Sequence, residues 1–245
     1  MTWVAGVDGC RGGWIAVLLD TSGRNPPRTR IATAFAEIPA FAESPAIIAV
    51  DMPIGLPDRQ QGSGRACEIA VRRLLGPRQS SVFSIPARAA VMETEDYRRA
   101  CAISADLSEP PRKVSKQAFY LFPKIKEIDA DLRADAGLAR RVFETHPEVC
   151  FAHMNGGAPA SRPKKIKSRV NPDGLEERRG LLRAHGFEAN FLEDGRHPPK
   201  PAMADDFVDA CATAWSAKRI LRGEAVCYPP DPPRDRFGLE MAIRA

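Results

Sequence analysis

Acidic residues end or interrupt apolar runs that lie far apart in the chain. Asp8 follows the first apolar run and precedes a glycine-rich turn, Asp51 ends the run Ala46–Val50, and Glu144 lies in the short run Arg141–Thr145. Burying a carboxylate beside apolar residues costs free energy unless the acid is paired with a cation or bound to a metal ion. Asp8 and Asp51 taken alone each also fit a turn, and an ion pair with a nearby arginine would explain Glu144, but together the acids indicate a charged site.

A further group of acids opens the last predicted helix, Met203–Arg222. Asp205, Asp206 and Asp209 place three carboxylates within five residues. Acids in a first helical turn often serve only as caps or as partners of the helix dipole, and this interpretation suits Asp205. Three acids exceed what capping requires, and Asp206 and Asp209 project from one side of the helix because they are three residues apart.

Carboxylates gathered in one place repel one another by roughly a few kcal/mol per close pair, so such a cluster needs compensating cations. Mg²⁺ and Mn²⁺ prefer oxygen ligands and keep several waters, which suits aspartates contributed by separate elements. Two such ions about 3.5–4 Å apart can activate a water and stabilise the leaving oxygen of a phosphodiester. His146 could move a proton near neutral pH, although a lone histidine before a proline is more often structural.

The elements that must position these acids begin with a predicted antiparallel meander. Strands are predicted at Trp3–Val7, Trp14–Leu19 and Arg30–Phe35, with turn residues between them. The apolar run Ala46–Pro53 suits a parallel strand buried on both faces, and Arg141–Thr145 is a fifth candidate. We therefore expect an α/β fold with a mixed five-stranded sheet. Ligands bind such sheets at the carboxyl ends of the strands, where the connections diverge.

Helical periodicity and stop signals predict the helices that flank this sheet. They are expected at Glu37–Ser44, Gly64–Leu75, Thr94–Leu107, Ser115–Asp135 with a kink at Pro123, a helix opened by Pro147, Pro172–His185 and Met203–Arg222. The stretch Cys227–Arg236 is expected to be a proline-rich tail. No repeat or linker divides the chain, so we expect one domain, 1–245, with helical insertions at about 56–140 and 147–200.

Basic and hydroxyl side chains between these elements suit the oxygens of a phosphate backbone. The candidate substrate-binding residues are Arg11, Arg78, Ser80, Ser81, Arg88, Lys116 and Lys124. The run Arg162–Arg169 carries five basic residues in eight, and a solvated loop explains it equally well. Phe83 lies in a basic loop, where an aromatic side chain could stack on a base.

Composition limits the classes of protein that the chain can belong to. With 245 residues, 44% of them hydrophobic, it can bury a core without disulfides or metals. No run approaches the roughly 18 apolar residues of a membrane helix, so we expect a cytoplasmic protein without membrane contact. Six scattered cysteines without a C-x-x-C pair argue against a zinc site. A net charge of +5 permits a nucleic-acid partner, and a homo-oligomer stays open.

Three of these features resemble the ribonuclease H-like fold: Asp8 before a hairpin, Asp51 after the fourth strand, and Asp206–Ala210 opening the last helix. The D-x-x-D-A pattern of that helix is similar to that of Holliday junction resolvases. Over nearly the whole chain, the sequence resembles the predicted ribonuclease H-like nucleases of the domain of unknown function 429 family. The blocks that carry this resemblance are VDGCRGGWIAV, AVDMPIGLP, LLGPRQSSVFSIPAR, SKQAFYLFPKIKEID, ETHPEVCFAHMNGG and DDFVDACATAW.

The resemblance implies a nuclease that uses Mg²⁺ or Mn²⁺ to hydrolyse phosphodiester bonds of nucleic acid. Its implied metal ligands are Asp8, Asp51, Asp206 and Asp209, and its implied catalytic set adds Glu144. Glu144 departs from the usual ribonuclease H pattern, which places the second acid on the fourth strand or on the helix after it. Metal ligand and proton handler therefore both stay open as roles for Glu144.

Two other functions fit parts of the sequence. The D-G-x-x-x-G segment that begins at Asp8 also resembles the phosphate loop of sugar kinases and actin-like ATPases. That phosphotransferase hypothesis lacks a second phosphate loop, and the chain contains no G-x-x-x-x-G-K-[ST] pattern. A non-catalytic nucleic-acid-binding or regulatory protein on the same fold would use only the basic loops. The sequence does not distinguish DNA from RNA, or an endonuclease from an exonuclease.

Overall fold

A computed structural model describes residues 1–167 and 169–245, and Ser168 of the basic run lies outside the described residues. A five-stranded sheet is covered by helices on both faces. Its strands are β1 Trp3–Cys10, β2 Gly13–Asp20, β3 Arg28–Ala32, β4 Ile47–Val50 and β5 Val142–Glu144. Their order is β3-β2-β1-β4-β5; β1 and β3 run antiparallel to β2, whereas β4 and β5 run parallel to β1. The predicted α/β fold with a mixed sheet is confirmed.

The predicted helices occur in the predicted order, the first of them as a short 3₁₀ helix, and three further short α-helices were not predicted. They are α1 Ala66–Leu75, α2 Arg88–Met92, α3 Tyr97–Asp106, α4 Lys116–Ala134, α5 Ala136–Ala139, α6 Pro147–Met154, α7 Pro172–Ala184, α8 Ala189–Asp194 and α9 Ala204–Leu221. Short 3₁₀ helices occur at Phe35–Ala40 and Gly76–Ser81. No helix among the described residues is both long and apolar enough to cross a membrane.

Alternation along β1 divides the core into two layers. Trp3, Ala5 and Val7 face the layer that contains α4, whereas Val4 packs with Ala217 of α9 on the opposite face. This is the period of two that a strand imposes, since successive side chains point to opposite faces. Whether a polar residue of β1 points into one layer or the other therefore depends only on whether its position in the strand is odd or even.

Helix α9 lies directly on β1, and the contact depends on a glycine. A Cβ atom at Gly6 would lie 1.9 Å from the backbone nitrogen of Ala214 and 2.3 Å from the carbonyl oxygen of Ala210. Only the absence of a side chain at this position allows the helix backbone to touch the strand. The first turns of α9 are thereby fixed against the carboxyl half of β1.

Two predicted segments differ from the structure in a way that packing explains. The third strand ends at Ala32 rather than at Phe35, because Phe35 begins a 3₁₀ helix and packs against Trp14 with 5.4 Å between ring centroids. The expected proline-rich tail is instead ordered structure. Cys227–Tyr228 pairs with Ile243–Arg244, which anchors the apolar residues at the end of the chain in the core.

Candidate functional site

Asp8 and Asp51 occupy equivalent positions of two neighbouring parallel strands. Val7 pairs with Val50, and the backbone N–H of Asp51 donates to the carbonyl of Val7 at 2.9 Å. Asp8 shares the parity of Gly6, so its side chain lies on the α9 face of the sheet. The convergence of these two acids at the carboxyl edge follows from strand register.

Helix α9 brings a third carboxylate to the same edge. Asp209 precedes Ala210, whose carbonyl oxygen touches Gly6, and the Asp209 residue is 3% exposed. Its Oδ1 atom has no hydrogen-bond partner among the described residues, although it is buried. An unpartnered buried oxygen costs free energy unless a cation or a ligand supplies the missing contact.

Burial, and then the charges of neighbouring acids, raise the pKa of all three carboxyl groups. Burial raises the pKa of Asp8 well above its ordinary value, and repulsion from Asp51 and Asp209 raises it further. Burial raises the pKa of Asp51 to about 7. The pKa of Asp209 rises to about 6, through burial and through the charge of Asp51. Carboxylates perturbed in this way form a site in which positive charge is deficient.

Two lysines of the loop before α7 contact the acids of α9. The Lys164 ammonium donates to Asp209 Oδ2, and its charge lowers the pKa of Asp8 and of Asp51. Burial lowers the pKa of Lys164, but the charges of Asp209 and Asp8 outweigh burial and raise it. Lys165, whose side chain is 51% exposed, lies 2.9 Å from Asp205. The basic run Arg162–Arg169 would be explained equally well as a solvated loop from the sequence alone. In the structure it contributes a cation to the acidic edge.

Glu144 lies at the same end of the sheet but on its other face. It pairs with Val50, and residues paired across strands point to the same side, so Glu144 leaves its strand on the face opposite to Asp51. Both side chains nevertheless line one cavity together with Asp8, and the charge of Glu144 raises the pKa of Asp51. Arg65 binds both of its oxygens, at 2.6 and 2.9 Å, and the N–H of Ile54 donates to it at 2.7 Å. These contacts satisfy Glu144 as a buried ion pair.

The remaining acids of α9 serve other contacts. The backbone N–H of Met203 donates to Asp206 Oδ2 at 2.9 Å, so the half-buried Asp206 caps its own helix. Burial raises the pKa of Asp205, but the hydrogen bond and charge of Lys165 outweigh burial and lower it overall. Asp206 still acts on Asp8, whose pKa its charge raises. The four predicted metal ligands therefore divide into Asp8, Asp51 and Asp209, which line two adjoining cavities, and Asp206, which lines neither.

Two cavities meet at Asp51 and form one cleft. The smaller, about 200 Å³, is lined by Asp8, Gly9 and Lys124 among others. The larger, about 390 Å³, holds Asp209 and Lys164. Four residues line both cavities: Asp51, Ser81, Phe83 and His146. The acids are thus distributed along one cleft with Asp51 at its centre.

The predicted substrate-binding residues are distributed unequally around this cleft. Arg78, Ser80 and Ser81 line the larger cavity, and Lys124 lines the smaller one. Arg78 also donates to the carbonyl of Ala160 at 3.0 Å.

Three other predicted contacts lie apart from both cavities. Arg11 and Lys116 are exposed and line neither cavity. Arg88 is 2% exposed and is bound to Asp129 and Asp235, so its position gives no support to the predicted phosphate contact. Its neighbours in the sequence, small and apolar residues, were a signal for burial.

His146 borders both cavities without a strong partner. Its Nε2 atom lies 3.3 Å from the carbonyl oxygen of Ser81, and its Nδ1 atom is buried with no hydrogen bond among the described residues. Burial lowers the pKa of His146, so the neutral imidazole is favoured near neutral pH. A neutral ring at this place can accept a proton from a group in the cleft.

A divalent cation fits the chemistry of the acidic edge. Within residues 1–167 and 169–245, no three His, Cys, Asp or Glu side chains are grouped tightly enough to hold a metal ion as they stand. The unpartnered Oδ1 of Asp209 and the mutual repulsion of the three aspartates nevertheless indicate a demand for positive charge. Oxygen ligands of this kind suit Mg²⁺ or Mn²⁺, and Asp8, Asp51 and Asp209 are the residues that would hold the ion.

A more voluminous cavity, about 570 Å³, lies at the outer edge of β5. It is lined by residues such as Arg140, Phe237 and Arg244. Size alone would favour it as a binding site. The acidic cleft is the stronger candidate for chemistry, because perturbed carboxylates converge there and not in the larger cavity.

Comparison with models of protein families gives one match, over residues 6–234, to a family described as a protein of unknown function (DUF429). The matched range begins before Asp8 and ends after Asp209, so it includes every acid of the cleft. Searches of the curated proteins and of the solved structures returned no match.

Proposed function

The chain belongs to the DUF429 family, and from that premise and the acidic cleft we propose that it is a divalent-metal-dependent hydrolase of nucleic-acid phosphodiester bonds. The observation that carries the proposal is the convergence of Asp8, Asp51 and Asp209 from three remote elements. Burial raises the pKa of all three, and the charges of neighbouring acids raise it further. A merely structural cluster would have no reason to keep this repulsion.

The proposal assigns each group of residues a task. Asp8, Asp51 and Asp209 hold Mg²⁺ or Mn²⁺, which, when bound, supplies a Lewis acid and lowers the pKa of a coordinated water. Arg78 and Lys165 border the larger cavity, where their positive charge suits the oxygens of a phosphodiester. Neutral His146 lies between the two cavities, within reach of a proton released in the cleft.

A second function is favoured by a specific observation. Asp209 is bound by Lys164, Glu144 by Arg65, and no ready-made group of three ligands exists among the described residues. In a non-catalytic nucleic-acid-binding protein, the buried acids would be paired with cationic side chains of the protein in this way. It would bind nucleic acid through the basic loops, with affinity falling as salt is raised, and would need no metal.

The decisive experiment measures cleavage of end-labelled single-stranded DNA, duplex DNA, RNA and an RNA–DNA hybrid, each with Mg²⁺, with Mn²⁺ and with EDTA. We expect metal-dependent cleavage of at least one substrate, and its loss in Asp8→Asn and Asp51→Asn. Asp58→Asn is the matched control, because Asp58 is exposed on the surface. Tight binding without cleavage under every condition would instead support the binding protein.

A further inference from the structure

A third cavity continues the acidic cleft towards the loop that precedes α4. Its volume is about 470 Å³, and its lining includes Gln60, Arg112 and Lys113. Phe83 lines this cavity and also both cavities of the cleft. The three cavities therefore form one groove with Phe83 at its centre.

The backbone on either side of Phe83 is fixed by one arginine of α1. Arg72 donates to the carbonyl of Val82 at 3.1 Å and to the hydroxyl of Ser84 at 2.8 Å. Phe83 is partly buried, because it packs against the core and also borders the groove. Since both of its neighbours are anchored, Phe83 presents a fixed aromatic surface to the groove.

A second aromatic side chain borders the groove and is exposed to solvent. Tyr120 of α4 lines the smaller cavity one turn before Lys124, and it is 73% exposed. A single exposed aromatic residue is common on protein surfaces and needs no explanation by itself. Together with Phe83, however, Tyr120 gives the groove two aromatic faces.

Cations without a carboxylate partner lie at both ends of the groove. In the larger cavity, the guanidinium of Arg78 donates to the neutral carbonyls of Ala160 and Ser161. In the third cavity, Arg112 and Lys113 are exposed, and neither forms an ion pair with a described residue. Positive charge at both ends suits a ligand whose negative charge is repeated along its length.

The loop that carries Arg112 and Lys113 is held by two serines. The hydroxyl of Ser104 donates to the carbonyl of Arg112 at 2.8 Å. The hydroxyl of Ser108 accepts from the backbone N–H of Arg112 at 2.7 Å. The position of this basic end relative to the rest of the groove is therefore fixed by the fold.

The glutamates of the cleft do not oppose an anionic ligand. Glu68 and Glu144 are bound by Arg65, and Glu148 is bound by Arg178. Negative charge that would repel a phosphate chain is thereby confined to the aspartates of the cleft, where we propose that the metal ion binds.

We infer that the groove binds single-stranded nucleic acid, with unpaired bases on Phe83 and Tyr120 and the phosphate chain running from Arg78 past the aspartates to Lys113. The inference rests on the proposed function and names its substrate class. Proteins that bind single strands combine a positively charged groove with aromatic side chains on which bases stack. In a duplex, each base face is already stacked on its neighbour, so the two aromatic side chains could not reach it.

The test is the fluorescence anisotropy of labelled oligothymidine and oligouridine, each of about 20 nucleotides and therefore longer than a typical single-strand site. The duplex of the oligothymidine with oligoadenine is the third ligand. All are measured with the full-length protein in EDTA, where the proposed cleavage does not occur. We expect wild type to bind one or both single strands about 10-fold or more tighter than the duplex. The two single strands distinguish DNA from RNA.

Replacement of Tyr120 tests the stacking contact. Tyr120→Leu should weaken single-strand binding about 5-fold or more, whereas Tyr120→Trp should bind like wild type because it keeps an aromatic face. Neither replacement should change the affinity for the duplex. Since Tyr120 is exposed, both variants should keep the fold.

Replacement of Lys113 tests the path of the phosphate chain. Lys113→Ala should reduce the slope of log affinity against log salt concentration by about 0.7, the value for one phosphate contact of a single strand. Arg98→Ala is the matched control, because Arg98 is exposed on α3 and lines none of the three cavities. It should leave the slope unchanged.

Duplex binding as tight as single-strand binding, no binding of any strand, or wild-type affinity in Tyr120→Leu would each overturn the inference. An unchanged salt slope in Lys113→Ala would also overturn it. Metal-dependent cleavage by a protein that prefers duplex would leave the proposed function standing. Tyr120-dependent binding of single strands without any cleavage would leave only the inference standing.

Discussion

Two groups of buried carboxylates lie within the same molecule and are treated differently by it. In one group, each acid is bound by an arginine that is itself almost fully buried. These acids are Glu144, Glu148 and Asp129. Arg178, for example, is 0% exposed and binds both oxygens of Glu148, at 2.8 and 2.6 Å. Asp8, Asp51 and Asp209 have no guanidinium partner among the described residues, and they share one lysine.

The difference separates acids that stabilise the fold through ion pairs from the acids that we propose to bind a cation. A guanidinium that binds both oxygens leaves a carboxylate nothing further to coordinate. Acids that repel one another at the end of two strands instead lower the stability of the protein until a cation arrives. Partner type distinguishes the two groups more than burial does, since Asp8 and Asp209 are buried like the arginine-bound acids.

The largest expected effect is on catalysis by the repelling group. Asp8→Asn should reduce phosphodiester cleavage by about 10,000-fold or more, about 5 kcal/mol in the activation barrier, because it removes a metal ligand. Its free energy of unfolding without metal should stay equal or increase, since one source of repulsion is gone. Single-turnover cleavage measures the rate, and urea unfolding of the same preparation measures the stability. If Asp8→Asn lowered the free energy of unfolding as much as the loss of an arginine partner does, the distinction between the two groups of acids would be wrong.

The next effect concerns the arginine-bound group. Arg65→Met should lower the free energy of unfolding by about 3–5 kcal/mol, because it leaves Glu144 and Glu68 buried without their cation. Urea unfolding is the measurement. Arg73→Met, at an exposed position of the same helix, provides the control and should change stability by about 0.5 kcal/mol or less.

A smaller effect should appear in the pH dependence of stability. The pKa of Asp51 is raised from 3.8 to about 7, so the folded protein holds this proton where the unfolded chain has released it. The bound proton therefore stabilises the folded state fully below about pH 4, and its contribution to the free energy of unfolding is lost as the pH rises towards 7. Without metal, Asp51→Asn should be more stable than wild type by about 2 kcal/mol at pH 8 and equal to it near pH 4.

Urea unfolding of wild type and Asp51→Asn in EDTA, from pH 4 to pH 8, measures this difference. Saturating Mn²⁺ should reverse it, because the ion binds the ionised carboxylate of wild type and stabilises the folded state. A difference that is constant across the pH range would mean that Asp51 is not repelled by its surroundings.

The smallest effect is expected at the ion pair of Asp205 and Lys165, which belongs to neither group. Asp205 is buried, but Lys165 is half exposed, so solvent screens their attraction. Lys165→Met should lower the free energy of unfolding by about 1 kcal/mol or less, measured by urea unfolding. A loss as large as that of Arg65→Met would show that exposure of the cation does not set the strength of these pairs.

Much of this arrangement was predictable from short-range patterns in the sequence. Apolar runs of strand length located β1 and β4, and the rule that ligands bind at the carboxyl edge brought Asp8 and Asp51 together. Parity along the short strand β5 would also have placed Glu144 on the face of Val142, a core residue of the other layer, although Glu144 still lines the smaller cavity with Asp8 and Asp51. That signal was present in the sequence and was not used.

The partners of the acids were not predictable in this way. Arg65 reaches Glu144 across 79 positions of sequence, and Lys164 reaches Asp209 across 45. No periodicity connects such residues, because the helical insertions and the loop before α7 decide which cation meets which acid. The local pattern around Lys164, a run of basic residues, is typical of a solvated loop and does not indicate its contact with Asp209.

The contact between Gly6 and α9 has a consequence for how the cleft can vary. With bare backbone against bare backbone, the separation of strand and helix is already at its minimum, so it cannot drift inward, and any added carbon atom at position 6 can only push the helix out. Asp209 would travel with the helix while Asp8 stayed on the strand. A single hydrogen atom in place of a methyl group thus sets the distance between the strand that carries Asp8 and the helix that carries Asp209.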